Sequence, residues 1–156
     1  EFGSSNNYAE SDLKKAVDKW LEDMGKRGLD NAKLIPREID LTTLDGSGCY
    51  GKLSVKAAPL TLDEAREYAD IIPNAERWCW LATGWSGPSK SDGDLALVGN
   101  SNGDWFNNYC SNSCGIRPAL KVPSILFEDS EAGLDLSKIP TDDLLQEIHR
   151  RLAEKA

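Results

Sequence analysis

Leu13, Ala16, Val17, Trp20, Leu21 and Met24 recur at intervals of three and four, which lays one continuous apolar stripe along a helix. Ser11 precedes the stripe as the natural N-cap, and Asp12 suits the positive end of the helix dipole. Lys26 and Arg27 suit the other end, and Gly25 or Gly28 stops the run. Lys14, Lys15, Asp18 and Lys19 occupy the opposite, water-facing side. The period then shortens to an alternation over residues 34–44 and 50–55, with Gly46 and Gly48 between them, which predicts an early hairpin. Thr61 opens a second helix through a capping box with Glu64, and Leu60 and Ala65 are spaced as a hydrophobic staple. This helix must stop by Pro73, and Leu62, Ala65, Ala69 and Ile72 form its expected buried stripe.

Residues 77–83, 95–99, 104–109 and 115–122 are short apolar stretches bounded by Gly, Asn, Ser or Pro, and they read as strands. Asn102-Gly103 predicts a tight hairpin between the second and third, because both residue types tolerate positive φ. Residues 84–93 are too polar and too rich in breakers for regular structure, which makes them a surface loop holding Trp85. Trp78 and Trp80, two apart, are expected on one strand face, where core packing outweighs a stacking platform and each indole N–H needs a partner.

Composition changes after Phe127. Residues 128–143 hold six acids and one base, a net of −5, more than half of the whole chain's −8. Thr141 then caps a last amphipathic helix whose seam is Leu144, Leu145, Ile148 and Leu152. The organisation read from this pattern sets aside residues 1–5 as a restriction-site and linker scar. It then runs as a domain over 6–127, an acidic linker over 128–140 and the terminal helix over 141–156.

A chain of 156 residues, 40% hydrophobic, has room for one domain with a real core. Its net charge of −8 argues against holding nucleic acid through phosphates, and no eighteen-residue apolar run exists to cross a membrane. His149 is the single histidine and falls in the terminal helix, so multi-histidine metal hydrolases are excluded and an imidazole-activated nucleophile is disfavoured. Of the four cysteines, Cys79 sits in an apolar run, and Cys110 and Cys114 have spacing for half a zinc site. Cys49 and Cys79 do not supply the other half, so reduced structural thiols in a cytosolic setting are expected, with no metal and no cofactor.

The order of several motifs carries a resemblance. These are residues 7–13 (NYAESDL), 59–65 (PLTLDEA), 78–83 (WCWLAT), the Asn102-Gly103 turn and residues 115–120 (GIRPAL). Together they resemble a family common in gut bacteria and their phages whose members end in a Gly-Val-Arg-Pro-Ala-Leu strand. The similarity covers roughly residues 6–127, with Ile116 in place of the family's valine and Cys79 where it often has an aromatic. That family looks like a branch of the C-type-lectin-like fold, alongside formylglycine-generating enzymes. The resemblance implies an α+β domain with two helices packed on a small, twisted, mainly antiparallel sheet and long loops on one side. It implies no activity. The calcium motifs of sugar-binding lectins are missing, since Phe106 and Asn107 follow Trp105, and Cys110/Cys114 do not align with the enzymes' copper-binding pair.

Five residues are candidates for a binding surface. Trp85 lies in a polar loop and Trp105 directly follows a turn, while Asn107 and Asn108 belong to an asparagine cluster around that hairpin. Arg117, held extended by Pro118, either pairs with a carboxylate or carbonyls, the preferred reading, or contacts a ligand. The expected function is a non-enzymatic, phage- or mobile-element-encoded binding module in the cytoplasm of a bacterial host. It would take a protein or small ligand on its loop face. The alternatives are an inhibitor of a defence or nucleic-acid enzyme acting through the acidic stretch, and a redox or metal enzyme built on Cys110 and Cys114. The terminal helix either folds back or pairs with a second copy.

Overall fold

The computed structural model of the protein describes residues 1–90 and 92–124. The acidic stretch, the terminal helix, its proposed role in self-association and His149 lie outside the described residues. Every described element belongs to the unit Glu1–Lys121.

The first helix, α1 (Asp12–Lys26), starts where its cap predicts, with the Ser11 hydroxyl accepting the Lys14 N–H. Leu13 and Val17 are buried, whereas Trp20, Leu21 and Met24 are only half-buried, so the apolar stripe is covered over its first half. The expected hairpin is β1 (Arg37–Asp40) against β2 (Lys52–Val55), antiparallel with Arg37 opposite Val55. The short β3 (Ala57–Ala58) follows, and then α2 (Leu62–Glu67), whose capping box is complete in both directions. The Arg37 guanidinium anchors the start of α2, pairing with Glu64 and donating to the Ala58 and Pro59 carbonyls at 2.8 and 3.1 Å. The helix ends earlier than expected. Pro73 disfavours helical geometry at Ile72, and residues 68–72 close as turns instead, leaving Ala69 exposed.

Three strands form the main sheet in sequence order: β4 (Cys79–Gly84), β5 (Leu95–Gly99) and β6 (Trp105–Tyr109), all antiparallel. Central β5 is apolar on both faces because both are covered. Ala96 and Val98, with Trp80 and Ala82 of β4, face the larger core, which includes Leu13, Ile39, Leu41 and Val55. Leu97 and Leu81 face the other way, against Leu62 of α2 with Leu60, Ala65 and Trp85. Among the described residues the architecture is α+β, two α-helices with small antiparallel sheets.

Four expectations are corrected. Phe2 belongs to the segment set aside from the fold, yet it is fully buried and packs edge-on against Trp80 at 5.4 Å between ring centroids. Its N–H donates to the Cys110 carbonyl at 2.7 Å and its carbonyl accepts the Leu13 N–H, so the first residues are part of the core. Trp78 and Trp80 differ in burial: Trp80 is buried with its indole N–H unpartnered among the described residues, whereas Trp78, just before the strand, is 43% exposed and packs edge-on against Phe106. The turn between β5 and β6 is a five-residue loop, 100–104, in which Gly103 alone has positive φ, at +85°. The Asn100 side-chain carbonyl organises it by accepting the N–H groups of Asn102 and Asp104 at 2.9 and 3.0 Å. Finally, the strand expected over 115–122 reduces to β7 (Ala119–Leu120), paired with β3, because Pro118 has no N–H and its partner strand is two residues long. Gly115 instead bridges the free edge of β4, accepting the Trp80 N–H and donating to the Trp78 carbonyl.

A residue that sequence patterning did not single out ties these parts together. Asn6 is fully buried, and its amide donates to the Ser86 and Leu95 carbonyls at 2.8 and 2.9 Å while accepting the Tyr50 hydroxyl at 2.6 Å. Gly84 must be glycine for this to fit, since a Cβ there would lie 2.9 Å from the Asn6 side chain.

Candidate functional site

On the α2 side of the main sheet, Trp105 begins β6 directly opposite Gly99, which has no side chain to occupy the space beside the indole. The ring is 39% exposed and lies under the Arg66 guanidinium, 5.7 Å from its centroid, a cation–π contact that fixes one wall. Ala65, Leu60 and Leu81 form an apolar floor, and Ile72 and Pro73 carry the apolar surface on past the end of α2. The loop at Asn100 and Asn102 closes one side. Gly103 comes so near Asn74 that an added Cβ would meet its side-chain oxygen at 3.1 Å.

Arg117 closes the far end. One of its N–H groups donates to the Pro73 carbonyl at 2.5 Å, which pins residues 68–78 against the run leading to β7. Its remaining N–H groups have no partner among the described residues, and Arg117 lines a half-open cavity of about 300 Å³. The site is therefore apolar on its floor and walls, with amide groups and one guanidinium at its margins. That composition is the usual one for a small-ligand pocket. Cys79 also lines it, and burial pushes its thiol up, an effect that the nearby Arg117 and Arg77 oppose.

The five sequence candidates divide. Trp105 and Arg117 meet in this cavity, with Arg117 making the carbonyl contact that the preferred reading describes. Asn107 and Asn108 border a different groove, lined also by Trp78, Phe106 and Cys114, where the Asn108 amide donates to the Cys114 sulfur at 3.2 Å and accepts from Asn112. Trp78 and Phe106 pack edge-on there, 5.4 Å apart. Trp85 is half-buried against Leu62, Leu81 and Leu97, and so serves packing. Sequence reasoning missed Leu60, Ala65 and Leu81 as a floor. Their helix and strand spacing marks them as apolar but cannot say that the space between them stays open.

The cysteines are not paired: Cys49 is exposed, Cys79 and Cys114 half-buried and Cys110 buried. Burial pushes the Cys110 thiol up to about 12, with Asp94 adding to the shift, so it is protonated at neutral pH and packs as a small hydrophobe. No group of three His, Cys, Asp or Glu residues that could hold a metal is present among the described residues. Among those residues, too, no helix is long and apolar enough to cross a membrane. Comparison of the chain with protein-family models, with curated proteins and with solved structures finds no match to any of them.

Proposed function

We propose that the protein is a non-enzymatic binding module that holds an apolar group bearing an acidic or carbonyl oxygen, with the apolar part against Trp105 and the oxygen at Arg117. The group is a small molecule or a side chain of a partner protein. One observation carries this reading: an aromatic wall, Trp105, and a partly unpaired guanidinium, Arg117, border the same apolar cavity of about 300 Å³. Arg117 supplies orientation as well as charge, because the Pro73 contact holds its guanidinium in place before a ligand arrives. The C-type-lectin-like scaffold, the phage or mobile-element origin and the bacterial cytoplasm belong to the same proposal. Two helices with small antiparallel sheets, and a loop-bounded cavity, support the scaffold.

Calorimetric titration with benzoate, phenylacetate, indole-3-acetate and N-acetylphenylalanine tests the reading. At least one should bind saturably to the wild type and lose tenfold or more in affinity, about 1.4 kcal/mol, in both Trp105→Ala and Arg117→Gln. Failure of all four, or binding indifferent to both substitutions, refutes it.

A further inference from the structure

The strand β6 lies at the edge of the main sheet, and its outward backbone groups can be identified. Just beyond the strand's two ends, the Cys110 N–H donates to the Asp94 carbonyl at 2.8 Å and the Asn100 N–H donates to the Asp104 carbonyl at 3.1 Å. Antiparallel alternation between these points turns Phe106 and Asn108 inward to β5 and leaves the backbones of Trp105, Asn107 and Tyr109 facing out. The Tyr109 N–H is taken by the Asn108 side chain, while the outward groups of Trp105 and Asn107 have no partner among the described residues.

Exposed edges are ordinarily guarded by charge, proline or a bulge, and this one has none of them. Residues 105–116 carry no charged side chain, in a chain where 28% of residues are charged. The pairing of β6 with β5 runs without a register break from Trp105 to Tyr109. Phe106 and Tyr109 are 51% and 58% exposed.

We propose that β6 is a self-association edge, where two copies pair β6 to β6, antiparallel, about a two-fold axis at Asn107, joining two three-stranded sheets into one. The sequence of the strand suits that register. Trp105 of each copy falls opposite Tyr109 of the other on one face, and Phe106 opposite Asn108 on the other face, so each aromatic–aromatic pair repeats by symmetry. Four backbone hydrogen bonds form: the two reciprocal Asn107 bonds, and the Trp105 N–H of each copy to the Tyr109 carbonyl of the other, which already accepts the Asn112 N–H at 2.9 Å and takes the new bond on its second lone pair. The uncharged stretch also explains why a second copy is the fitting occupant. Two chains of net charge −8 repel over most of their surfaces, and here they meet where neither carries charge.

Equilibrium sedimentation of the full chain gives the test. The wild type should reach twice its monomer mass of 17.1 kDa at several hundred micromolar. Asn107→Lys and Asn107→Glu each place like charges directly across the axis and should each raise the dissociation constant at least tenfold. An equimolar mixture of the two variants should recover the doubled mass as a heterodimer. Unchanged circular dichroism and melting temperature of each variant check the fold, as the Asn107 side chain is exposed. A wild type that stays at monomer mass overturns the proposal. So do variants that dimerise as tightly as the wild type, which would mark another interface, or a mixture that does not recover.

Discussion

Truncating Phe2 to alanine removes an aromatic ring that is fully buried, with Tyr8 at 6.4 Å and Trp80 at 5.4 Å between centroids. For a phenylalanine held on all sides, the loss of transfer energy together with the cavity left behind costs about 3–5 kcal/mol. The segment can withdraw instead of leaving a void, and the loss is then bounded by what docks it: the ring, plus the Phe2 and Gly3 N–H bonds to the Cys110 carbonyl and the Leu13 N–H bond to Phe2. Withdrawal would wet Trp80 and strip the Leu13 amide of its acceptor, so it is not a cheap escape. Urea unfolding followed by tryptophan emission should therefore show a loss of at least about 3 kcal/mol, and a melting temperature lower by roughly 10 °C or more. Phe2→Leu, which keeps most of the volume, should cost under about 1.5 kcal/mol. A loss below about 1 kcal/mol for Phe2→Ala would mean that the first residues are a solvated tail, and the description of the core would be wrong.

Replacing Asn6 by aspartate turns a donor to the Ser86 and Leu95 carbonyls into a third oxygen facing them, and should cost at least about 2 kcal/mol in the same urea assay, with Asn6→Ala milder. Thr61→Ala removes the hydroxyl that accepts the Glu64 N–H, and a loss of about 1 kcal/mol is expected from the urea midpoint. Burial raises the folded-state pKa of Cys110 to about 12, so the unfolded chain ionises first; the stability tied to this thiol is complete below about pH 9 and is lost as pH rises toward 12. Cys110→Ala should flatten the fall in urea midpoint between pH 9 and 10, although the buried Tyr8 phenol, also shifted upward, keeps some slope at the alkaline end. Under native conditions a thiol reagent should modify exposed Cys49 rapidly and buried Cys110 only after unfolding, as peptide mass mapping would report.

The features legible in the sequence are those whose causes are local. Ser11 and Thr61 cap their helices through bonds spanning three residues, and β5 begins and ends where its apolar run does. Errors arose where a distant partner decides. Whether residues 115–122 form a long strand depends on what they can pair with, and their partners are scattered: Gly115 bridges Cys79, Ala119–Leu120 pair with Ala57–Ala58, and Lys121 accepts the Ile35 N–H. Trp78 and Trp80 carry the same two-residue spacing, yet only Trp80 is covered, by Phe2 among others, while Trp78 is left 43% exposed. Phe2 and Asn6 take their roles from contacts with residues about eighty or more positions away, for which no local pattern exists. The candidate site was half visible: Trp105 and Arg117 drew attention as an aromatic at a turn and a guanidinium fixed by proline. That they border one cavity, while Asn107 and Asn108 border another groove and Trp85 fills a core, depends on how the chain is stacked around α2.

The most direct test of the binding account is the position of the five indole resonances in a nitrogen-15 correlation spectrum as phenylacetate is added. The account predicts that the Trp105 indole shifts progressively to saturation with Trp80 and Trp20 unmoved, and that Arg117→Gln moves the midpoint of that shift to at least tenfold higher concentration. A Trp105 resonance that stays fixed while the ligand binds elsewhere, or that shifts equally without Arg117, would contradict it.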